Sequence, residues 1–109
     1  MTTNVANFIP AKSVAITETN EYTTVNSRSI IDSYDVFNGT AGAIKYTVRI
    51  VPAGGTAGPS NTLIVQSIAA NSTVRGILTG QILEPGDFIS TIADVVGLTH
   101  RASGRKVTI

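Results

Sequence analysis

From Ser13 onward the chain alternates hydrophobic and polar residues with a period of two. That period sends successive side chains to opposite faces of a β-strand. In "SVAITE", Val14 and Ile16 take alternate sites, and "EYTTVN" is a short second run. "SRSIIDSYDVFNGT" puts Ile30, Asp32, Tyr34 and Val36 on one side and Ile31, Ser33, Asp35 and Phe37 on the other; neither side is clean. "AIKYTVRIVP" is the clearest strand. Ile44, Tyr46, Val48 and Ile50 share an apolar face, and Lys45, Thr47 and Arg49 a wet one, as in an antiparallel sheet. In "NTLIVQSIAA", Leu63 and Val65 oppose Ile64, Gln66 and Ile68. "NSTVRGILTG" adds a turn and a strand. "DFISTIADV" sets Phe88, Ser90, Ile92 and Asp94 against Ile89, Thr91 and Ala93. "LTHRASGRKVTI" closes with two short strands around Ser103-Gly104.

Turn formers punctuate these runs. Asn38-Gly39 is a pair that favours positive φ. Pro52 ends a strand, and Gly54, Gly55 and Gly58-Pro59 let the backbone turn. "LEPGD" suits a type II turn. Short strands with turn signals every 8 to 12 residues, roughly, point to an all-β fold. Residues 13–109 are therefore expected to form one antiparallel β-sandwich or jelly-roll-like domain of about eight strands. Residues 1–12 are polar apart from Phe8, Ile9 and Pro10. They are expected to be an extended N-terminal arm, either frayed or docked on a neighbour through Phe8 and Ile9.

Composition agrees. The chain has 13 Ile, 11 Val and 15 Thr, so 39 of its 109 residues are β-branched and suited to a pleated surface. Without cysteine there is neither a disulfide framework nor a thiolate metal site, and a single histidine excludes a multi-histidine one. A net charge of +1, with 14% charged residues, argues against nucleic-acid binding. No apolar run is long enough for a membrane span, and the N-terminus lacks the pattern of a signal peptide. The protein is expected to be made and kept in the cytoplasm, or to leave it without the usual secretory signal.

Candidate chemistry is sparse. Asp32 and Asp35 are three apart on a strand, so they point to opposite faces. Glu84 and Asp87 flank a Pro-Gly turn, too few oxygens for calcium. His100 lies near Ser103, but no Gly-x-Ser-x-Gly elbow accompanies it, and an exposed strand position is expected. "GGTAGP" lacks the lysine and following helix of a phosphate loop and reads as a long hairpin loop. Arg101, Arg105 and Lys106 form a small basic cluster, a solvated edge or a protein contact. No catalytic residue, cofactor or metal is expected, and the chain is read as a non-enzyme. Its first strands carry little charge or proline, so their edges are expected to be covered by a neighbouring chain.

The order "RSIIDSYDVFNGTAGAIKYTVRIVPAGGTAGPSNTLI", then "SIAANSTVRGILTGQILEPGDFISTIAD", then "GLTHRASG", resembles small structural proteins of tailed bacteriophage virions. The resemblance covers about residues 28 to 104 and rests on turn motifs; the front part, "NEYTTVNS", departs from the usual opening. It implies a β-sandwich that works by binding: a capsid decoration (cement) protein made in the host cytoplasm and carried on the virion. Its partner would be the major capsid protein or another virion protein, engaged by a homo-oligomer, a trimer being favoured. A tail, neck or baseplate ring component is the alternative, and a carbohydrate-binding sandwich is the alternative of another class. The expected partner-binding residues are Phe8, Ile9, Gly54, Gly55, Arg101, Arg105 and Lys106.

Overall fold

The computed structural model describes residues 2–108. Among these the chain forms nine strands: β1 (Thr3–Ser13), β2 (Thr19–Thr23), β3 (Ser27–Asn38), β4 (Ile44–Val51), β5 (Thr62–Ile68), β6 (Ser72–Val74), β7 (Ile82–Leu83), β8 (Phe88–Ala93) and β9 (Leu98–Thr108). One sheet has the order β1-β9-β3-β6, with β7 also on β3, and the other the order β2-β8-β4-β5. All pairings are antiparallel. The topology follows from one long hairpin. Its rungs are β4·β5, β3 with β6 and β7, β2·β8 and β1·β9, and they fall alternately into the two sheets. Pairing of β3 with β9 and of β4 with β8 then closes each sheet. This is a jelly roll, as the spacing of turns predicts.

β4 follows its alternation on the inward face, although Thr47, expected to be wet, is buried as well and Ile50 is only half-buried. Ile44, Tyr46 and Val48 are buried and Lys45 is exposed. β3 does not. Ser27, Ser29 and Ile31 point inward, and then Tyr34, Val36 and Asn38 do, because the register against β9 shifts between Ile31 and Ser33. One extra residue turns the rest of a strand over. Asp32 therefore stands in water rather than on the side of Tyr34 and Val36, and neither face of the sequence reads cleanly. Opposite this bulge lies Gly104. A Cβ there would fall 1.9 Å from the Ile30 carbonyl oxygen, so only glycine lets the two backbones approach.

The expected arm is a strand. β1 pairs with β9 from Thr3↔Val107 to Ser13↔Thr99, with register shifts between Ala6 and Ile9 and between Ile9 and Lys12. Phe8 and Ile9 are both buried in the chain's own core, and the Phe8 ring lies 4.6 Å from that of Tyr22. The irregular register lets two successive apolar residues face inward. The polar residues around them belong to an exposed edge strand, not to a free arm. Of the two expected segments, 1–12 and 13–109, Met1 and Ile109 lie outside the described residues.

Asn38-Gly39 also departs from expectation, since neither residue takes positive φ. Asn38 stays in β3, fully buried, and its side chain pins the loop. Its Nδ2 donates to the Gly42 and Ile68 carbonyls at 2.8 and 2.9 Å, and its Oδ1 accepts from Thr40 N at 2.9 Å. The glycine-rich segment after Pro52 is the β4–β5 hairpin connection. It contains Gly54 at φ +77 and a 3-10 turn at Pro59–Asn61. Arg49 Nε donates to the Gly58 carbonyl at 3.0 Å, and Asn61 Oδ1 accepts from Gly58 N at 3.0 Å, so this loop is tied down.

Candidate functional site

A line of polar side chains crosses the core. The Tyr34 and Tyr46 hydroxyls, from β3 and β4, are 2.5 Å apart. Tyr46 Oη lies 2.9 Å from His100 Nδ1 on β9. His100 Nε2 lies 3.4 Å from Glu21 Oε2 on β2, and Glu21 Oε1 contacts Lys12 Nζ on β1. The His100 and Glu21 side chains are 0% and 2% exposed, whereas Lys12 reaches this line from the surface. The expectation that His100 is exposed is thus overturned. The inward phase of β9, with Leu98, His100 and Ala102 buried, carries it into the core.

One tautomer satisfies the line. Tyr46 donates to His100 Nδ1, which leaves a proton on Nε2 facing the Glu21 carboxylate. Neither Nε2 nor Glu21 Oε1 makes a well-aligned hydrogen bond, so charge and closeness hold that end together. Burial raises the pKa of Tyr34 and Tyr46. Burial is also the largest influence on His100 and lowers its pKa to about 4; the Glu21 charge opposes this and the Lys12 charge adds to it. Together these residues tie five strands and both sheets, a device that fixes how the sheets are matched.

The depressed His100 pKa has a consequence for stability. The unfolded chain takes up this proton near pH 6.5 and the folded one near pH 4. Stability from His100 is fully present above about 6.5 and falls as pH drops toward 4. The expected loss near pH 5 is about 2 kcal/mol. Urea denaturation at pH 7.5 and pH 5 measures it, and His100→Gln should lose this increment of the pH dependence. An unchanged pH dependence in the variant would contradict it.

The expected contact residues do not form one site. Phe8 and Ile9 are core. Gly54 and Gly55 are exposed in the β4–β5 loop. Arg101 and Arg105 lie on the outer face of the first sheet, while Lys106 turns to the other side, 5.8 Å from the Tyr22 ring centroid. Alternation along β9 splits the basic cluster. Arg105 grips Asp32 through two 2.9 Å hydrogen bonds, which hold the Asp32 carboxyl below the usual carboxylate range. Arg101 lines a shallow groove of about 370 Å³ with Val5, Asn7, Asp32 and Ser103. A second groove, of about 310 Å³, crosses the other sheet at Ile16, Lys45, Arg49 and Ile92.

One further group of residues follows no period-two pattern. The segments 14–18, 39–43, 69–71 and 94–97 meet at one end of the sandwich. They are joined by Asn71 N to the Thr40 carbonyl at 3.2 Å and Gly39 N to the Gly97 carbonyl at 3.4 Å, and Ala93 N, at the end of β8, donates to the Ala15 carbonyl at 3.0 Å. This end presents Val95 and Val96, 50% and 72% exposed; near it, Ile16, 51% exposed, opens on the groove of the second sheet and Phe37, 46% exposed, on the outer face of the first. The available signal was "DVVGL", two valines placed between a strand and a glycine.

The chain matches no family model and no curated protein. Among solved structures it is similar to a chain described with the words "Bacillus endospore appendages form a novel family of disulfide-linked pili". Identity is 12%, the match covers 99% of this chain and 89% of that one, and the TM-score is 0.59. That likeness is one of fold; with no cysteine, this chain cannot make a disulfide. A second match is to a structure of infectious bursal disease virus, Gt strain. Identity is 11%, coverage is 98% of this chain and 30% of that one, and the TM-score of 0.36 carries no weight.

Proposed function

We propose that this chain is a structural protein of an assembled particle, a virion protein that binds capsid subunits, as its turn motifs imply. One observation carries this reading: exposed apolar side chains gather toward one end of the sandwich, Val95 and Val96 on its loop and Ile16 and Phe37 on the two sheet faces beside it. Grouped apolar side chains open to water mark a contact surface. Burying each would contribute on the order of 1 kcal/mol or more. Such small terms add when an oligomer engages several subunits at once. The jelly roll measures 46 × 26 × 18 Å, so one narrow end can meet the particle while the sheets stay free. The carbohydrate-binding alternative loses its platform, since Tyr34 and Tyr46 are buried and Tyr22 is partly covered by Phe8.

The test is co-sedimentation of the purified protein with expanded empty capsids built from the major capsid protein of the same genome. Binding should saturate at a fixed ratio, and Val96→Asp should weaken it at least tenfold without lowering the melting temperature. Full binding by Val96→Asp would remove the apolar end from the account. No binding by the wild type would remove the capsid.

A further inference from the structure

The sheet edges are β1, β6 and β7 on one side of the molecule and β2 and β5 on the other. An edge offers unpaired backbone groups to any extended chain, and proteins blunt it with charge, proline, bulges or brevity. Most of these edges are blunted. β1 carries Pro10 and Lys12 and shifts register twice against β9. β2 has five residues, carries Glu21 and shifts register once. β6 and β7 have three and two residues.

β5 is different. It has seven residues, TLIVQSI, with no proline and no charge. Indeed no charged residue lies between Arg49 and Arg75. Its single irregularity against β4 falls near its start, where Val48 pairs with Ile64 and Arg49 with Thr62. Leu63 and Val65 are half-exposed beside the open edge.

We infer that β5 is a self-association edge. β5 of one copy pairs antiparallel with β5 of a second copy about a twofold axis at Val65, and two four-stranded sheets become one of eight. Neutrality selects the occupant. A foreign strand can be matched by opposite charge, but a strand pairing with itself sets any central charge against its own copy. Around Val65 the opposed residues would be Val65 with Val65, Ile64 with Gln66 and Leu63 with Ser67, all neutral. Such a contact is smaller than the roughly 1,600 Å² of a standard stable interface, so the dimer should dissociate on dilution.

This inference rests on the proposed structural role only in taking self-assembly as the use of the surface, and the two fail separately. Light scattering after size exclusion, over a dilution series, should give a dimer that falls to monomer. Val65→Lys should be monomeric wherever the wild type is dimeric, with an unchanged circular dichroism spectrum and melting temperature. Val5→Lys, on the edge of the other sheet, should dimerise normally. A wild type monomeric at its highest concentration, a trimer, or a dimer that persists in Val65→Lys would overturn it. Capsid binding by a monomeric wild type would leave the proposed function standing, and a dimer that ignores capsids would do the reverse.

Discussion

Gly104→Ala should destabilise the fold by about 3 kcal/mol, near the upper end for an overpacked site. For a chain of this size that lowers the melting temperature by more than about 10 °C. The added methyl would stand 1.9 Å from the Ile30 carbonyl oxygen, 3.0 Å from Asp32 N and 2.9 Å from Phe8 Cε2. Two of those three atoms are backbone and cannot swing aside. Relief must come from parting β3 and β9, which are aligned at eleven residue pairs from Ser27↔Thr108 to Asn38↔Leu98. The bulge at Asp32 and its ion pair with Arg105 sit at the same place, so the damage would spread along the outer face. Gly42→Ala is the control, because nothing lies within 4 Å of its Cβ position. Thermal unfolding of the two variants should differ sharply; equal melting temperatures would mean that β3 and β9 separate more easily than their pairing indicates.

Lys12→Ala should cost about 3 kcal/mol for a different reason. The Glu21 carboxylate is almost wholly buried, and Lys12 is its only fully charged neighbour among the contacts that hold it. Removing the lysine leaves a buried anion facing a neutral imidazole. His100 should then take up a proton more readily, since the Lys12 charge helps hold its pKa down. As the chain has one histidine, a proton NMR titration reads this directly: the midpoint should move up from about 4 toward the ordinary 6.5. Lys12→Ala combined with Glu21→Gln should regain most of the lost stability, because no charge is then stranded. A single variant as stable as the wild type, with an unmoved histidine titration, would show that the ion pair is not what keeps Glu21 in place.

The parts of the fold that the sequence reveals are those in which one local rule acts alone. β4 is central in its sheet, and its inward face repeats at every second residue, Ile44, Tyr46 and Val48. Turn residues mark the ends of most strands, so the jelly roll is legible as a spacing. β3 hides its inner face because one residue at Asp32 reverses the phase, and the glycine that the close approach there requires, Gly104, lies on β9, far along the chain. β1 looks like an arm because an edge strand is polar on most positions and Phe8 and Ile9 are adjacent instead of alternate. The buried line from Lys12 to Tyr34 draws on five strands, so no short window holds more than a fragment of it. His100 shows the same limit: its buried partners, Glu21 and Tyr46, stand on β2 and β4, far from it in the chain. The apolar end is likewise assembled from separate segments, and only Val95-Val96 is visible as a local excess.

The most direct test of the particle-binding role is hydrogen exchange on the protein free in solution and bound to expanded capsids. The account predicts that amides in Ala15–Glu18 and Asp94–Gly97 slow markedly on binding, while those at the far end of the sandwich, in β3 from Ser27 to Ile31 and in β9 from Gly104 to Thr108, keep their free rates. Equal rates in those loops, with the protein demonstrably on the particle, would contradict it.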